Sequence, residues 1–137
     1  MADNVSKIKV KIYYHHTDCG GIVYYGRYLD FFEEALTEFF AGRGIPIDQL
    51  AKDGVLFVVS KQEIEYKAPG YYADILEVST QVTNASGVRI EFAHDVVNQD
   101  GKLLVRAKTT MVCVDKTIRP QSLPDGVAQK IITGYGL

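Results

Sequence analysis

A lone carboxylate followed by two glycines stands just ahead of an aromatic-rich segment that is predicted to be a helix. Asp18, Cys19, Gly20 and Gly21 are followed by a short apolar run, and the helical pattern begins near Arg27. A carboxylate can attack an electrophilic carbonyl carbon, or it can take a proton from a water that attacks that carbon. The pattern therefore indicates a nucleophile or a general base at Asp18, and a turn aspartate is the alternative.

The start of the predicted helix supplies a second kind of chemical group. Tyr25 and Gly26 fall where the first backbone N–H groups lack an acceptor within the helix and where the helix dipole is positive. An oxygen that gains negative charge during a reaction is stabilised by roughly 3 kcal/mol for each well-placed donor of this kind. Gly20 and Gly21 would let the loop bend back and leave room for a substrate. A plain flexible hinge explains the two glycines as well.

The other reactive side chains have weaker patterns. His15 and His16 form a pair at the end of a predicted strand, which is typical of solvated histidines. His94 lies on the apolar face of its strand, as a hydrogen-bonded core histidine would. Cys19 has no evident base beside it to activate the thiol. Glu33 falls on the polar side of the predicted helix, which argues against a catalytic role for it.

The composition sets limits on the class of protein. The chain has 137 residues, and we expect one domain over residues 1–137. A net charge of −2 gives no general attraction to nucleic acid or to an anionic membrane. Cys19 and Cys113 have neither a metal-binding spacing nor the pattern of a disulfide framework. Without a secretory segment or an apolar run of about 20 residues, a cytoplasmic protein with no membrane span is expected.

The apolar periodicity changes once along the chain. Residues 7–14 alternate as a strand does, and residues 27–42 follow a helical period with apolar side chains over about half of the circumference. Residues 46–54 suggest one further helical turn. Four later segments have a period of two and are predicted to be antiparallel strands: 55–69, 73–83, 88–99 and 102–115.

A single long helix that is apolar over half of its surface needs extensive cover. We therefore expect an α+β fold in which a curved antiparallel sheet of about five strands wraps around the helix. The last strand is expected to leave a long edge exposed. Such an edge invites pairing with a second subunit, so at least a dimer is predicted.

The stretch from Asp18 to Ala35, DCGGIVYYGRYLDFFEEA, resembles the motif of the 4-hydroxybenzoyl-CoA thioesterase family of hot-dog-fold proteins. The chain is most similar to the branch of small acyl-CoA thioesterases that includes those associated with the bacterial Tol–Pal system. The later segment EIEYKAPGYYADILEV agrees with this assignment. The resemblance extends from about Lys7 to Pro124.

The resemblance implies an acyl-CoA thioesterase that needs neither a metal nor a redox cofactor, since coenzyme A is part of the substrate. It assigns the attack on the thioester, direct or through water, to Asp18 and the main oxyanion-hole donor to the N–H of Tyr25. Some relatives carry a histidine where this chain has Tyr25. The resemblance also implies a homodimer or a homotetramer. A thioester on acyl-carrier protein is an alternative substrate.

Two other functions are compatible with the same fold. A hydratase or dehydratase acting on acyl-CoA or acyl-carrier protein would require a histidine paired with an acid, and Tyr25 counts against it. A non-catalytic acyl-binding protein would not require Asp18.

The predicted substrate contacts complete the site. Tyr24 and Tyr28 are candidates for an acyl pocket, and Lys61 and Arg89 are candidates for contacts with the phosphates of coenzyme A.

Overall fold

The computed structural model describes residues 5–133. Its strands are β1 (Val5–Lys11), β2 (Leu56–Tyr66), β3 (Ile75–Ser86), β4 (Arg89–Val97) and β5 (Leu103–Val114). Its helices are α1 (Arg27–Gly42), α2 (Ile47–Lys52) and α3 (Asp125–Thr133), and a 3-10 turn spans Tyr14–His16. The strands form one antiparallel sheet in the order β1-β3-β4-β5-β2.

The predicted α+β architecture is confirmed. Strands β3 and β4 alternate between an outer, more exposed face and an inner apolar face, and α1 lies against the inner face of the sheet. The buried side of α1 is largely aromatic, and it packs on strand residues such as Leu76, Ile90 and Leu104. This core holds α1 in place, so the position of its N-terminus relative to the sheet is fixed.

The bounds of α1 agree with the sequence prediction, and the structure explains its end. Gly44 has a φ of +68°. Its N–H donates to Ala41 O (3.0 Å), and the N–H of Ile45 donates to Phe40 O (2.9 Å). This pair of bonds is the Schellman arrangement, which favours glycine at the left-handed position.

Two expectations about the elements were wrong, and one helix was not predicted. The first strand stops at Lys11, because the chain turns at Tyr14–His16 and leaves Tyr14 exposed. The last strand, β5, is not an edge strand, since it pairs with both β4 and β2. Within residues 5–133 the edges of the sheet are β1 and β2. Helix α3 was not predicted, and it buries Val127 and Ile131 against the core.

No helix within residues 5–133 combines the length and the apolar character needed to cross a membrane.

Candidate active site

A short hairpin carries Asp18 on one arm and leads into α1 on the other. Thr17 and Val23 form an antiparallel bridge between the arms. The N–H of Tyr24 donates to His16 O (2.9 Å) on the same side of the hairpin. The acid and the start of α1 are therefore held together by backbone hydrogen bonds that do not depend on side-chain type.

The tip of this hairpin fixes the orientation of the Asp18 carboxylate. The N–H of Asp18 donates to Ile22 O (2.9 Å), and the N–H of Gly21 donates to Asp18 O (3.2 Å). Gly21 has a φ of +77°, which favours glycine. Asp18 Oδ1 accepts the N–H of Gly20 (2.8 Å). Oδ2 accepts no hydrogen bond from residues 5–133, and the exposed side chain leaves this oxygen available to a substrate or a water.

The N-terminus of α1 presents free backbone donors. Gly26 is the N-cap residue of α1 and provides no side-chain cap. In the part of the chain that the structure describes, the N–H groups of Tyr25 and Gly26 donate to no acceptor. A Cβ atom on Gly26 would lie 3.0 Å from the ring of Tyr24, so glycine permits this close packing. Two donors and the helix dipole therefore make a site for a developing negative charge.

The side chains of Tyr66 and Arg27 hold the start of α1. The hydroxyl of Tyr66, on β2, donates to Tyr25 O (3.0 Å). The guanidinium of Arg27 donates to His15 O (3.3 Å) and to the carboxylate of Asp30 (3.3 Å). These contacts tie the helix start to the edge strand and to the 3-10 turn. Neither Tyr66 nor Arg27 was predicted as a site residue, because the contact of Tyr66 with Tyr25 spans 41 residues and that of Arg27 with His15 spans 12.

A cavity of about 250 Å³ lies beside these donors. We call it the helix-start cavity, and its walls include Ile22, Tyr25, Tyr28, Tyr66 and Gly70. Tyr28 is 2% exposed, so the predicted acyl-pocket residue forms a wall that is largely part of the core. Burial raises the pKa of Tyr28 to about 12, and its phenol is therefore neutral in the physiological range.

Gly70 is a position whose importance the sequence did not reveal. A Cβ atom there would lie 2.9 Å from the hydroxyl oxygen of Tyr28 and 3.1 Å from a methyl carbon of Val23. Gly70 O also accepts the N–H of Val23 (2.9 Å). Gly70 therefore allows three segments to meet under the helix-start cavity.

A larger cavity of about 550 Å³ runs along the side of α1. We call it the helix-side groove. It lies between α1 and the β2–β5 edge of the sheet, and its walls include Leu29, Phe32, Glu33, Phe40, Phe57 and Gln62. Leu29 belongs to the first turn of α1, so one end of the groove lies next to the free N–H groups.

His94 and His16 lie in different environments. His94 is 1% exposed and is hydrogen-bonded to the hydroxyls of Thr80 (2.9 Å) and Thr109 (3.0 Å), which confirms it as a core histidine. His16 Nδ1 accepts the N–H of Tyr13 (2.9 Å), and partial burial followed by the neighbouring His15 lowers the pKa of His16. His16 therefore has a structural role in the 3-10 turn.

The remaining predicted substrate contacts are spread over the surface. Tyr24 is exposed and its ring lies 4.7 Å from that of Tyr25, centroid to centroid. Lys61 lies on the outer face of the sheet and pairs with Glu63 (3.8 Å). Arg89 opens β4, at the end opposite to the hairpin. A single chain does not bring Lys61 or Arg89 to Asp18, and their contacts with coenzyme A stay predictions.

Comparison with known proteins identifies the family. Residues 13–131 match the model of the thioesterase-like superfamily. The chain is 37% identical over 119 residues to the acyl-CoA thioester hydrolase YbgC of Escherichia coli O6:H1, a match that covers 86% of this chain and 89% of the relative. It is 34% identical over 129 residues to the acyl-CoA thioesterase YbgC of Haemophilus influenzae, covering 93% and 94% of the two chains.

The fold has a close counterpart among solved structures. Slr0204, a 1,4-dihydroxy-2-naphthoyl-CoA thioesterase from Synechocystis, superposes with a TM-score of 0.87 at 22% identity and covers 93% of this chain and 96% of its own. At that identity the likeness concerns the hot-dog fold alone. Together with the family match and the two relatives, it confirms the resemblance that the motif from Asp18 to Ala35 predicted: the chain belongs to the thioesterase-like superfamily.

Proposed function

We propose that this protein hydrolyses acyl-CoA thioesters to a free acid and coenzyme A. One observation supports the proposal: a single hairpin carries a carboxylate with a free oxygen, Asp18 Oδ2, and leads into the unpaired N–H groups of Tyr25 and Gly26. A thioester needs this pair of groups, because the thiolate leaves readily and the difficult step is the attack on the carbonyl carbon. The two YbgC relatives named for this activity support the proposal.

In the proposed reaction the thioester carbonyl oxygen accepts hydrogen bonds from Tyr25 N–H and Gly26 N–H. Asp18 takes a proton from a water whose oxygen attacks the carbonyl carbon, and the resulting oxyanion is stabilised by the two donors and the helix dipole. The C–S bond then breaks, and the thiolate leaves with the proton that Asp18 received. In the nucleophilic variant the carboxylate of Asp18 attacks the carbonyl carbon, the C–S bond breaks with loss of the thiolate, and a mixed anhydride remains; water then hydrolyses the anhydride to the free acid, which restores the carboxylate and releases the proton that the thiolate takes up. Neither route uses a metal or a redox cofactor.

We further propose that the protein forms a homodimer and that two dimers assemble into a homotetramer, as the family resemblance implies. The proposed location is the cytoplasm. The exposed edge of β2 supports the dimer, because its eleven residues could pair with a second copy and its exposed Val59 and Tyr66 would be covered. The exposed Tyr71 and Tyr72 beside the Asp18 hairpin also support a covering partner. Acyl-carrier protein is the alternative carrier of the thioester.

The test is the release of thiol from short, medium, long and aromatic acyl-CoAs. We expect hydrolysis of at least one of them by the unmodified protein, and a fall in kcat of about 100-fold or more in Asp18→Asn. Asparagine can still accept the N–H of Gly20 through its side-chain oxygen, so the hairpin should be preserved while the base or nucleophile is lost.

Asp53→Asn is the matched control, because Asp53 is an exposed aspartate that follows α2, away from the hairpin. It should hydrolyse the same substrates at the unmodified rate. Equal activity of Asp18→Asn would show that Asp18 is a turn residue, and the absence of thiol release from every acyl-CoA would contradict the proposed activity.

A further inference from the structure

We propose that Tyr66 is a positioning residue of the oxyanion site and that its hydroxyl holds the N–H of Gly26 in place. The inference rests on the proposed function, since it concerns the orientation of one of the two proposed donors. The peptide group between Tyr25 and Gly26, the first turn of α1 and the packing of the Tyr66 ring each contribute to it.

The hydroxyl of Tyr66 bonds to the peptide group that contains the Gly26 donor. It donates to Tyr25 O (3.0 Å), and this oxygen and the N–H of Gly26 belong to one planar peptide group. The peptide is trans, so the N–H points away from the oxygen and from Tyr66. A hydrogen bond that fixes the direction of the oxygen therefore fixes the direction of the donor as well. Tyr66 acts through the peptide group and need not touch the substrate.

The first turn of α1 leaves Tyr25 O to Tyr66. In a regular helix the N–H of Leu29 would donate to this oxygen, but here it donates to Gly26 O (3.2 Å). Within residues 5–133 no backbone N–H donates to Tyr25 O. The side chain of Tyr66 therefore supplies the hydrogen bond that the helix does not.

The two proposed donors differ in what orients them. The N–H of Tyr25 shares its peptide group with Tyr24 O, which accepts the N–H of Arg27 (2.9 Å), so this donor is oriented by backbone atoms. The N–H of Gly26 depends on the hydroxyl of Tyr66 instead. A hydrogen bond accepted by a carbonyl oxygen also polarises its peptide group, an effect of about 10–30% on the next bond. Loss of the hydroxyl should weaken one donor and leave the other intact.

The ring of Tyr66 is held so that its hydroxyl stays directed at Tyr25 O. It meets the rings of Tyr28 and Tyr25 edge to face, at 5.8 Å and 6.3 Å between centroids. Tyr28 is buried, and so is Val105, which pairs with Tyr66 across the sheet. Burial, followed by the neighbouring Tyr25, raises the pKa of Tyr66, so the phenol keeps the hydrogen that it donates. Cover by the second copy of the proposed dimer is compatible with a residue that acts through a peptide group.

The test is the variant Tyr66→Phe, which keeps the ring and removes only the hydroxyl. With an acyl-CoA that the unmodified protein hydrolyses, we expect kcat to fall by about 10-fold and KM to change by less than about 2-fold, because the lost interaction is made in the transition state. Removal of a whole oxyanion donor costs more, about 100-fold or above. Tyr14→Phe is the matched control, since it removes the hydroxyl of an exposed tyrosine whose ring meets that of Tyr72, and it should retain kcat.

A spectroscopic measurement reports on the peptide group itself. Tyrosine is followed by glycine at Tyr25-Gly26 and at Tyr135-Gly136, so carbonyl-¹³C tyrosine combined with ¹⁵N glycine labels these two peptide groups. A Tyr135→Phe background removes the second signal. In that background Tyr66→Phe should move the carbonyl ¹³C resonance of Tyr25 upfield, because its oxygen loses a hydrogen bond.

A ketone analogue of the thioester separates this inference from the proposed activity. Thioethers of coenzyme A with an acetonyl or a phenacyl group are not hydrolysed and offer a carbonyl oxygen to the two donors. On binding they should move the amide proton of Gly26 downfield, with a smaller shift in Tyr66→Phe and an unchanged one in Tyr14→Phe.

The outcomes for the two proposals can be told apart. If no acyl-CoA is hydrolysed, the proposed activity is wrong, and the shift caused by the ketones still decides the role of Tyr66. The inference would be overturned by the absence of that shift in the unmodified protein or by an equal shift in Tyr66→Phe. An unchanged kcat in folded Tyr66→Phe would also overturn it, and a higher KM at that kcat would mean that Tyr66 contacts the substrate directly.

Discussion

Asp18 and His94 are the centres of two polar regions that are built in opposite ways. Asp18 is exposed, is held by backbone hydrogen bonds at the tip of a hairpin, and keeps one oxygen free within the described residues. His94 is buried, stacks on an aromatic ring, and has both ring nitrogens bonded to hydroxyls. The first region has capacity left for a ligand, whereas His94 has none left at its ring nitrogens.

The two regions differ because Asp18 has a proposed role in the reaction, whereas His94 has a structural role in the core. A residue that must meet a substrate retains free hydrogen-bonding atoms and gains its position from the backbone. A buried polar residue must be fully satisfied, because an unpaired buried donor or acceptor costs free energy of folding. Substitutions at Asp18 should therefore change rate with little change in stability, and substitutions at His94 should do the reverse.

The largest stability effect is expected from His94→Ala. The substitution leaves the hydroxyls of Thr80 and Thr109 without their shared partner and opens a cavity under Phe32, so we expect the free energy of unfolding to fall by about 3–5 kcal/mol. Urea denaturation would measure it. Asp18→Asn, measured in parallel, should stay within about 0.5 kcal/mol of the unmodified protein. A larger loss for Asp18→Asn than for His94→Ala would remove the contrast between the two regions.

The second effect is a decrease in stability at acidic pH. Burial lowers the pKa of His94 from 6.5 to about 4. Between these values the unfolded chain binds a proton that the folded chain does not, so the free energy of unfolding decreases as pH falls from 6.5 to 4. The full loss is on the order of 3 kcal/mol for this group.

The variant His94→Gln removes the titrating group and serves as the control for the carboxylates that titrate in the same range. Urea denaturation at several pH values should give a shallower decline in stability for His94→Gln than for the unmodified protein. Parallel curves would mean that His94 binds a proton equally in the folded and the unfolded chain.

The smallest of these effects is expected at Gly70, which lies between the open site and the core. A methyl group there would lie 2.9 Å from Tyr28 Oη, so Gly70→Ala should lower the free energy of unfolding by about 2 kcal/mol. It should also lower activity, since Gly70 and Tyr28 line the helix-start cavity. Gly42→Ala is the control, because a Cβ atom at Gly42 meets nothing within 4 Å. A stability of Gly70→Ala equal to that of Gly42→Ala would show that the segments can move apart.

The sequence predicted those features that depend on neighbours along the chain. The bounds of α1 and the grouping of Asp18 with Tyr25 were predictable, because a helical period and a short loop are local patterns. The contact of Tyr66 with Tyr25 spans 41 residues, and that of Gln62 with Thr109 spans 47. Such contacts depend on the register of β2 against β5. A one-residue shift of this register would move every side chain of β2 to the other face of the sheet, and periodicity alone does not determine the register.

The hairpin that carries Asp18 leads directly into the first turn of α1, so the proposed acid and the proposed oxyanion donors occupy one uninterrupted stretch of about ten residues. Gln62, which lines the helix-side groove, lies on β2 and depends on β4 and β5 for its orientation. The walls of the groove can therefore change during evolution by substitutions in the strands while the reacting segment is inherited intact. In laboratory evolution the same separation favours libraries confined to the walls of the helix-side groove.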